Sequence, residues 1–372
     1  MPGTRRSRLK MTNIRKIIKE EIAKAGPMPF ARFMELALYC PDFGYYEQNH
    51  MTPGRAGDFY TSVSVGSLFG QLLAAQFAEW FKCSTDGRPQ IVEAGAHDGQ
   101  LASDILTWLR ANRPTLAKAL EYWILEPSPV RMRRQETMLK DFKQQIRWFD
   151  SWGALPAKVR GVIFSNELLD AMPVRRLGWD AEKREWFEWG VAMQGEQFIW
   201  TTMPGGSQSA SDHPAVLKFS EELIAVLPHG FTTEVSPLAT QWWRQAAETL
   251  AAGKLLTVDY GLTTEEFFAP ERKDGTLRAY FHHHQNTDLL ARPGEQDITA
   301  QVNFNAIRAA GEIAGLKTDE FTTQSKFLTG ILERAGKESL FADWTATRTR
   351  QFQTLTHPEH LGRSFRVLIQ SR

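Results

Sequence analysis

Acidic residues close four successive apolar runs: Glu93 in Gln90–Ala94, Glu126 at the end of Tyr122–Glu126, Asp150 at the end of Arg147–Asp150, and Glu167 with Asp170 just after Gly161–Phe164. One acid at a strand end is an ordinary solvated terminus. A series of them suits a nucleoside ligand that carries positive charge. Glu126 is placed to accept both hydroxyls of a ribose, Asp150-Ser151-Trp152 to hold an adenine amino group and stack its ring, and Glu93 to face a cationic amino-acid part. Between the first run and its helix, Gly95 and Gly99 let a ligand approach the backbone, with unpaired N–H groups of the helix behind them. Asn166 is assigned to the same ligand site. The Gly-x-x-x-Gly spacing fails the Gly-x-Gly-x-x-Gly dinucleotide pattern, and Glu93 would repel a pyrophosphate. S-adenosylmethionine is the ligand this set describes.

The elements that must position these residues follow from hydropathy. Ile14, Ile17, Ile18 and Ile22 lie on one helical face, with Asn13 as its expected N-cap. A second helix carries Phe30, Phe33, Met34, Ala37 and Leu38, and a third carries Leu68 to Phe81. From Pro89 the pattern alternates strand, loop and helix, which argues for βαβ units and a parallel sheet covered on both faces. Residues 174–230 interrupt that rhythm as an insertion, with a β-hairpin around Gln194-Gly195. The alternation then resumes with a strand at Phe231–Val235, a helix at Pro237–Ala252 and a strand at Lys254–Tyr260. A long loop, Gly261–Gly294, precedes the helix Phe304–Ala314 and strands near Lys317–Phe321 and at Phe365–Ile369. The expected architecture is an α/β Rossmann-type sheet over 86–372 with an N-terminal helical subdomain, 1–85, that acts as a lid. Within that subdomain Gly57 and Asp58 are assigned to reach the cofactor; the alternative is a turn entering a helix.

The charges sum to 44 − 43 = +1, so nothing pulls the chain toward nucleic acid. No apolar run approaches a membrane span, and two cysteines, Cys40 and Cys83, do not make a disulfide scaffold. The basic start (Arg5, Arg6, Arg8, Lys10), with no acid before Glu20, is read as a solvated segment of a cytoplasmic protein; the alternative is a mitochondrial presequence, with the mitochondrial matrix as the location in a eukaryote. His282, His283 and His284 lack partners at ligand spacing, so no metal site is expected.

Beyond these readings, the chain resembles the MidA-like family of S-adenosylmethionine-dependent methyltransferases. The resemblance is carried by Pro29-Phe30-Ala31-Arg32-Phe33-Met34, Tyr39-Cys40-Pro41-Asp42-Phe43-Gly44-Tyr45-Tyr46, Gly57-Asp58-Phe59-Tyr60-Thr61-Ser62, Asn166-Glu167-Leu168-Leu169-Asp170-Ala171-Met172-Pro173-Val174, Val258-Asp259-Tyr260-Gly261 and Pro293-Gly294-Glu295-Gln296-Asp297-Ile298-Thr299. It implies a class I methyltransferase fold and, from mitochondrial relatives, protein-arginine methylation of a respiratory complex I subunit. The first loop departs from the family's Glu-x-Gly-x-Gly-x-Gly pattern: His97 replaces its middle glycine, where an imidazole would crowd the methionine part of the cofactor unless the loop bends differently and keeps its affinity.

Guanidinium is a poor nucleophile because its lone pairs are delocalised and it stays protonated. Two carboxylates gripping it would localise charge away from the attacking nitrogen. Glu167 and Asp170 are the residues expected to do so, with a helix cap as the alternative for Asp170. Asp259-Tyr260 is a further candidate for lining the substrate cleft. The rival to an enzyme is a chain that keeps the fold and works as a binding or assembly factor.

Overall fold

Runs such as Ile91-Val92, Tyr122–Leu125, Val162–Phe164 and Leu255–Val258 have no polar face, so they need cover on both sides and belong in the middle of a parallel sheet. The computed structural model places them there. It describes residues 3–48, 61–82, 88–204, 221–281, 284–341 and 344–372. In chain order the elements that matter are α1 (Gly3–Ala25), β1 (Met28–Pro29), α2 (Phe30–Tyr39), α3 (Leu68–Phe81), β2 (Gln90–Ala94), α4 (Gln100–Asn112), α5 (Pro114–Ala119), β3 (Glu121–Leu125), α6 (Pro129–Met138), β4 (Ile146–Phe149), β5 (Val159–Asn166), β6 (Arg175–Asp180), β7 (Glu185–Gln194), β8 (Gln197–Thr202), β9 (Thr232–Val235), β10 (Leu250–Leu262), β11 (Arg278–Phe281), β12 (His284–Asn286), β13 (Asp297–Thr299), β14 (Val302–Asn303), β15 (Lys317–Thr323) and β16 (Phe365–Ser371).

The main sheet runs β15-β16-β10-β5-β2-β3-β4, with β14 also on β10. Strands β4, β3, β2, β5 and β10 are parallel, and β16 lies antiparallel between β10 and β15. The order reverses between β2 and β5, which opens a crevice beyond their carboxyl ends. One face of the sheet packs α3, α4 and the helix Gln324–Lys337 through Ile91, Tyr122, Ile124, Phe164 and Leu256. The other packs the helices Pro237–Thr249 and Phe304–Ile313 through Val92, Trp123, Ile163 and Leu255. Helix α3 thus shares its core with the sheet, whereas α1 and α2 build a separate core with β1, β7 and β8.

Several expectations need correction. The interruption after Val174 is more than a hairpin: β6, β7 and β8 join β1 and β9 in a second, antiparallel sheet ordered β1-β7-β6-β9, with β8 on β7. The run Phe231–Val235, assigned to the parallel series, is therefore the edge strand β9 of this other sheet. A four-residue strand followed by a helix looks like a βα unit, and nothing local names its partner. The hairpin turn itself lies where expected, with Gly195 at φ 57°. Asn13 is not an N-cap, because α1 begins at Gly3; the Arg- and Lys-rich run before it has good helix propensity and continues the helix. The long loop Gly261–Gly294 contains β11 and β12, and β11 pairs with both β12 and β13 in a third small sheet. Gly57, Asp58, Cys83, His282 and His283 lie outside the described residues. Among the described residues no helix is long and apolar enough to cross a membrane, and no group of three metal-ligating side chains gathers.

Candidate active site

The crevice beyond β2 and β5 is a cleft of about 940 Å³, at the upper end of the range of ligand pockets. The loop after β2 forms its floor. Gly95 has φ 73°, and a Cβ there would sit 2.8 Å from Leu168 Cδ1, so only glycine fits. His97 adopts φ 50°, a left-handed conformation that its family's glycine would take without strain. Its side chain is 41% exposed, with Nδ1 3.7 Å from Asp98 Oδ1. Gly99, expected at the ligand, instead lies behind the cleft: with φ 93° it caps α4.

Of the predicted residues, Glu93, Gly95, Glu126, Asp150, Asn166, Glu167 and Asp170 all line this one cleft. Glu93 is buried and accepts the Tyr122 hydroxyl at 2.6 Å; burial pushes its pKa up to about 8. Glu126 follows β3 and is 1% exposed. It is bound by Arg131 and by the Ser128 N–H. Ser128 also caps α6, whose first residue is Pro129, as that position favours. Asp150 is exposed at the rim and accepts the Ser151 hydroxyl. Trp152 beside it packs on Trp242, ring centroids 5.5 Å apart.

The opposite wall is the loop after β5. Its conformation comes from Asp259 on β10, which is fully buried and accepts the N–H groups of Leu168 (3.1 Å), Leu169 (2.8 Å) and Tyr260 (2.8 Å). Asp259 is thus a support for the cleft wall rather than part of its lining, and Tyr260 alone of that pair lines it. Held this way, Glu167 takes φ 49°, and its Oε1 accepts from the Ser62 N–H and Asn166 Nδ2, both at 3.1 Å. Burial raises its pKa to about 8. Asp170 is hydrogen-bonded to Asp259, and burial with that neighbouring charge holds its pKa well above the carboxylate range; Asp259 itself rises to about 7 through burial. The helix-cap alternative for Asp170 is corrected, since a turn leads from it into β6.

Three lining groups had no assigned role in the sequence. Tyr39 donates to the Ala171 carbonyl at 2.9 Å, and Tyr46 to Asp297 Oδ1 at 2.8 Å; all three side chains line the cleft. Their segments stand out in the sequence, but only the fold brings them to the carboxylates. Asn166 Oδ1 and Trp152 Nε1 are buried with no hydrogen-bond partner among the described residues. Two such atoms in a cleft floored by a left-handed glycine turn fit a polar, nucleoside-sized ligand.

The sheet order, with its antiparallel β16, and a cleft at the switch point define a class I methyltransferase. Residues 72–322 match the family described as "Putative S-adenosyl-L-methionine-dependent methyltransferase", and the chain belongs to that family. A solved structure of a Burkholderia thailandensis protein bound to S-adenosyl-homocysteine is 30% identical, with a TM-score of 0.82 over 100% of this chain and 95% of that one. An uncharacterized protein from the same organism is 31% identical, with a TM-score of 0.84 over 100% and 94%. Zebrafish (Danio rerio) "Protein arginine methyltransferase NDUFAF7, mitochondrial" is 27% identical over 95% of this chain and 85% of its own length. The Drosophila melanogaster homolog is also 27% identical, over 96% and 84%.

Proposed function

We propose that this enzyme transfers the methyl group of S-adenosylmethionine to an arginine side chain of a protein. The observation that carries the reading is the gathering of Glu167, Asp170 and Asp297 at one end of the cleft, beside Tyr39, Tyr46 and Tyr260 and backed by the buried Asp259. Buried carboxyls with raised pKa values are costly to the empty protein. A cation that recovers this cost by ionising them is the ligand such a wall selects, and the relatives named as arginine methyltransferases act on one.

In this reading the cofactor's nucleoside lies between Glu126, Asp150 and Trp152, and its amino-acid part lies near Glu93 and the Gly95 turn, with Asn166 alongside. When bound, S-adenosylmethionine supplies a sulfonium methyl, whose C–S bond breaks with its electron pair kept by sulfur as the new C–N bond forms. Glu167 receives the guanidinium. Its Oε1 is held by Ser62 and Asn166, so Oε2 faces the incoming nitrogen and takes the proton that this nitrogen loses. Asp170, steadied by Asp259, lines the other side of the guanidinium. The protein substrate is a homologue of a respiratory complex I subunit, and the enzyme acts where that subunit is assembled: the cytoplasm, or the mitochondrial matrix in a eukaryote.

Proteomic mass spectrometry of cells with and without the protein tests this reading. A methylarginine should vanish with the gene and return with wild type but not with Glu167→Gln. The variant should bind S-adenosylhomocysteine within about threefold of wild type, since it keeps the cofactor residues. Restoration of the mark by the variant, or no arginine mark that depends on the gene, overturns it.

A further inference from the structure

The ribose acid of this chain is not a free carboxylate. Glu126 Oε1 accepts the Ser128 N–H and Arg131 Nε, both at 2.9 Å, and Arg131 Nη2 lies 2.9 Å from the same oxygen as an ion pair. Its Oε2 accepts Gln135 Nε2 at 2.9 Å. A carboxylate has about four acceptor positions, so one remains, on Oε2. Arg131 is itself held from the far side. Its Nη1 lies 3.0 Å from Glu47 Oε1, while Glu47 Oε2 accepts the Ser128 hydroxyl at 2.6 Å. Side-chain exposures of 14% for Arg131, 9% for Glu47 and 1% for Glu126 make this a buried acid–base–acid triad. Removing the central cation would leave two buried carboxylates facing each other unpaired.

Glu47 comes from the N-terminal segment that carries Tyr39 and Tyr46, which are fastened to the substrate wall. We propose that Arg131, clamped by Glu47, is the positioning residue for nucleoside recognition: it holds the Glu126 carboxylate in one orientation, so that a single acceptor on Oε2 reads one ribose hydroxyl. The N-terminal segment thereby takes part in cofactor affinity without touching the reacting atoms. Lysine cannot replace the arginine, because one ammonium cannot set two nitrogens against Glu126 Oε1 and reach Glu47 at once.

This inference rests on the reading of Glu126 as the ribose acid, and a binding cycle separates the two. Calorimetry measures the affinity of the full chain for S-adenosylhomocysteine and for its 2′-deoxy and 3′-deoxy analogues. In wild type, loss of the hydroxyl that meets a charged acceptor costs about ten- to a hundredfold, and loss of the other costs much less. In Arg131→Lys the sensitive ratio should fall below about threefold, because S-adenosylhomocysteine weakens while the deoxy analogue hardly changes. Glu47→Gln, which leaves Arg131 in place, should lower the same ratio at least threefold and carries the test if the lysine variant does not fold. A merely structural role would weaken all three ligands alike and leave the ratio at its wild-type value, which overturns the proposal. Equal costs for both hydroxyls in wild type refute the single-acceptor claim. No cost for either sinks the ribose assignment of Glu126 as well.

Discussion

Replacing Asp259 by asparagine tests whether the substrate wall is held from behind. The two carboxylate oxygens accept three backbone N–H groups, from Leu168, Leu169 and Tyr260, and bond Asp170 as well. An amide offers a single oxygen. Turned toward Leu168 and Leu169, it leaves the Tyr260 N–H facing an NH2 group. A buried donor left without an acceptor costs about 1–3 kcal/mol. At pH 4 burial keeps the wild-type carboxyl neutral in the folded protein, so the amide relieves no ionisation cost and the expected loss is about 1–3 kcal/mol. With an unfolding entropy of about 2.1 cal/mol/K per residue, a chain of 372 residues that unfolds as one unit should lose about 1–4 °C in Tm. Urea unfolding and calorimetry at pH 4 measure both. Glu167 depends on the same anchor for its left-handed backbone, so methyl transfer should fall with stability. A loss under about 0.5 kcal/mol would show that the loop holds its shape by itself and that Asp259 has been misread.

Two more outcomes follow from the cleft. Glu93 and Glu167 titrate in the folded protein near 8 and Asp259 near 7, against about 4–4.5 in an unfolded chain. The folded state binds more protons, so the stability these groups contribute is complete below about pH 4 and is lost as pH rises toward 8. Glu93→Gln keeps an oxygen for Tyr122 and removes one of these titrations. It should be more stable than wild type at pH 8, by about 2–5 kcal/mol, while binding S-adenosylhomocysteine more weakly; a variant less stable than wild type at that pH contradicts the burial argument. His97→Gly relieves a left-handed residue that lines the cleft with its ring beside Asp98; a side chain 41% exposed has room to swing aside, so S-adenosylhomocysteine affinity should stay within about threefold. A tenfold gain would show that the imidazole does crowd the cofactor.

The strand-end acids were legible because a parallel sheet imposes a rule: whatever follows a strand at the switch point faces the ligand. That rule sends Glu93, Glu126, Asp150 and Glu167 to one cleft, where the fold does bring them, with no knowledge of which strands are neighbours. It says nothing about Tyr46 and Asp297, which are 251 positions apart yet share a hydrogen bond. Nor does it reveal that Asp259, a strand-end acid like the others, points into the protein. Whether such a carboxylate meets a ligand or three backbone N–H groups depends on how the next loop crosses it. Strand β9 went to the wrong sheet for a related reason: four residues carry a strand's propensity but not its partner's identity.

Local chemistry determined the βαβ rhythm, the left-handed turn at Gly95, the proline-led start of α6 and the acidic character of the ligand site, because each depends on residues a few positions apart. Long-range packing alone decided that the N-terminal segment crosses the cleft and that Arg131 sits between Glu47 and Glu126. It also decided that the substrate wall hangs from a buried aspartate. Such contacts exist only once the core has paid the entropy of bringing distant segments together, and no spacing in the chain encodes them.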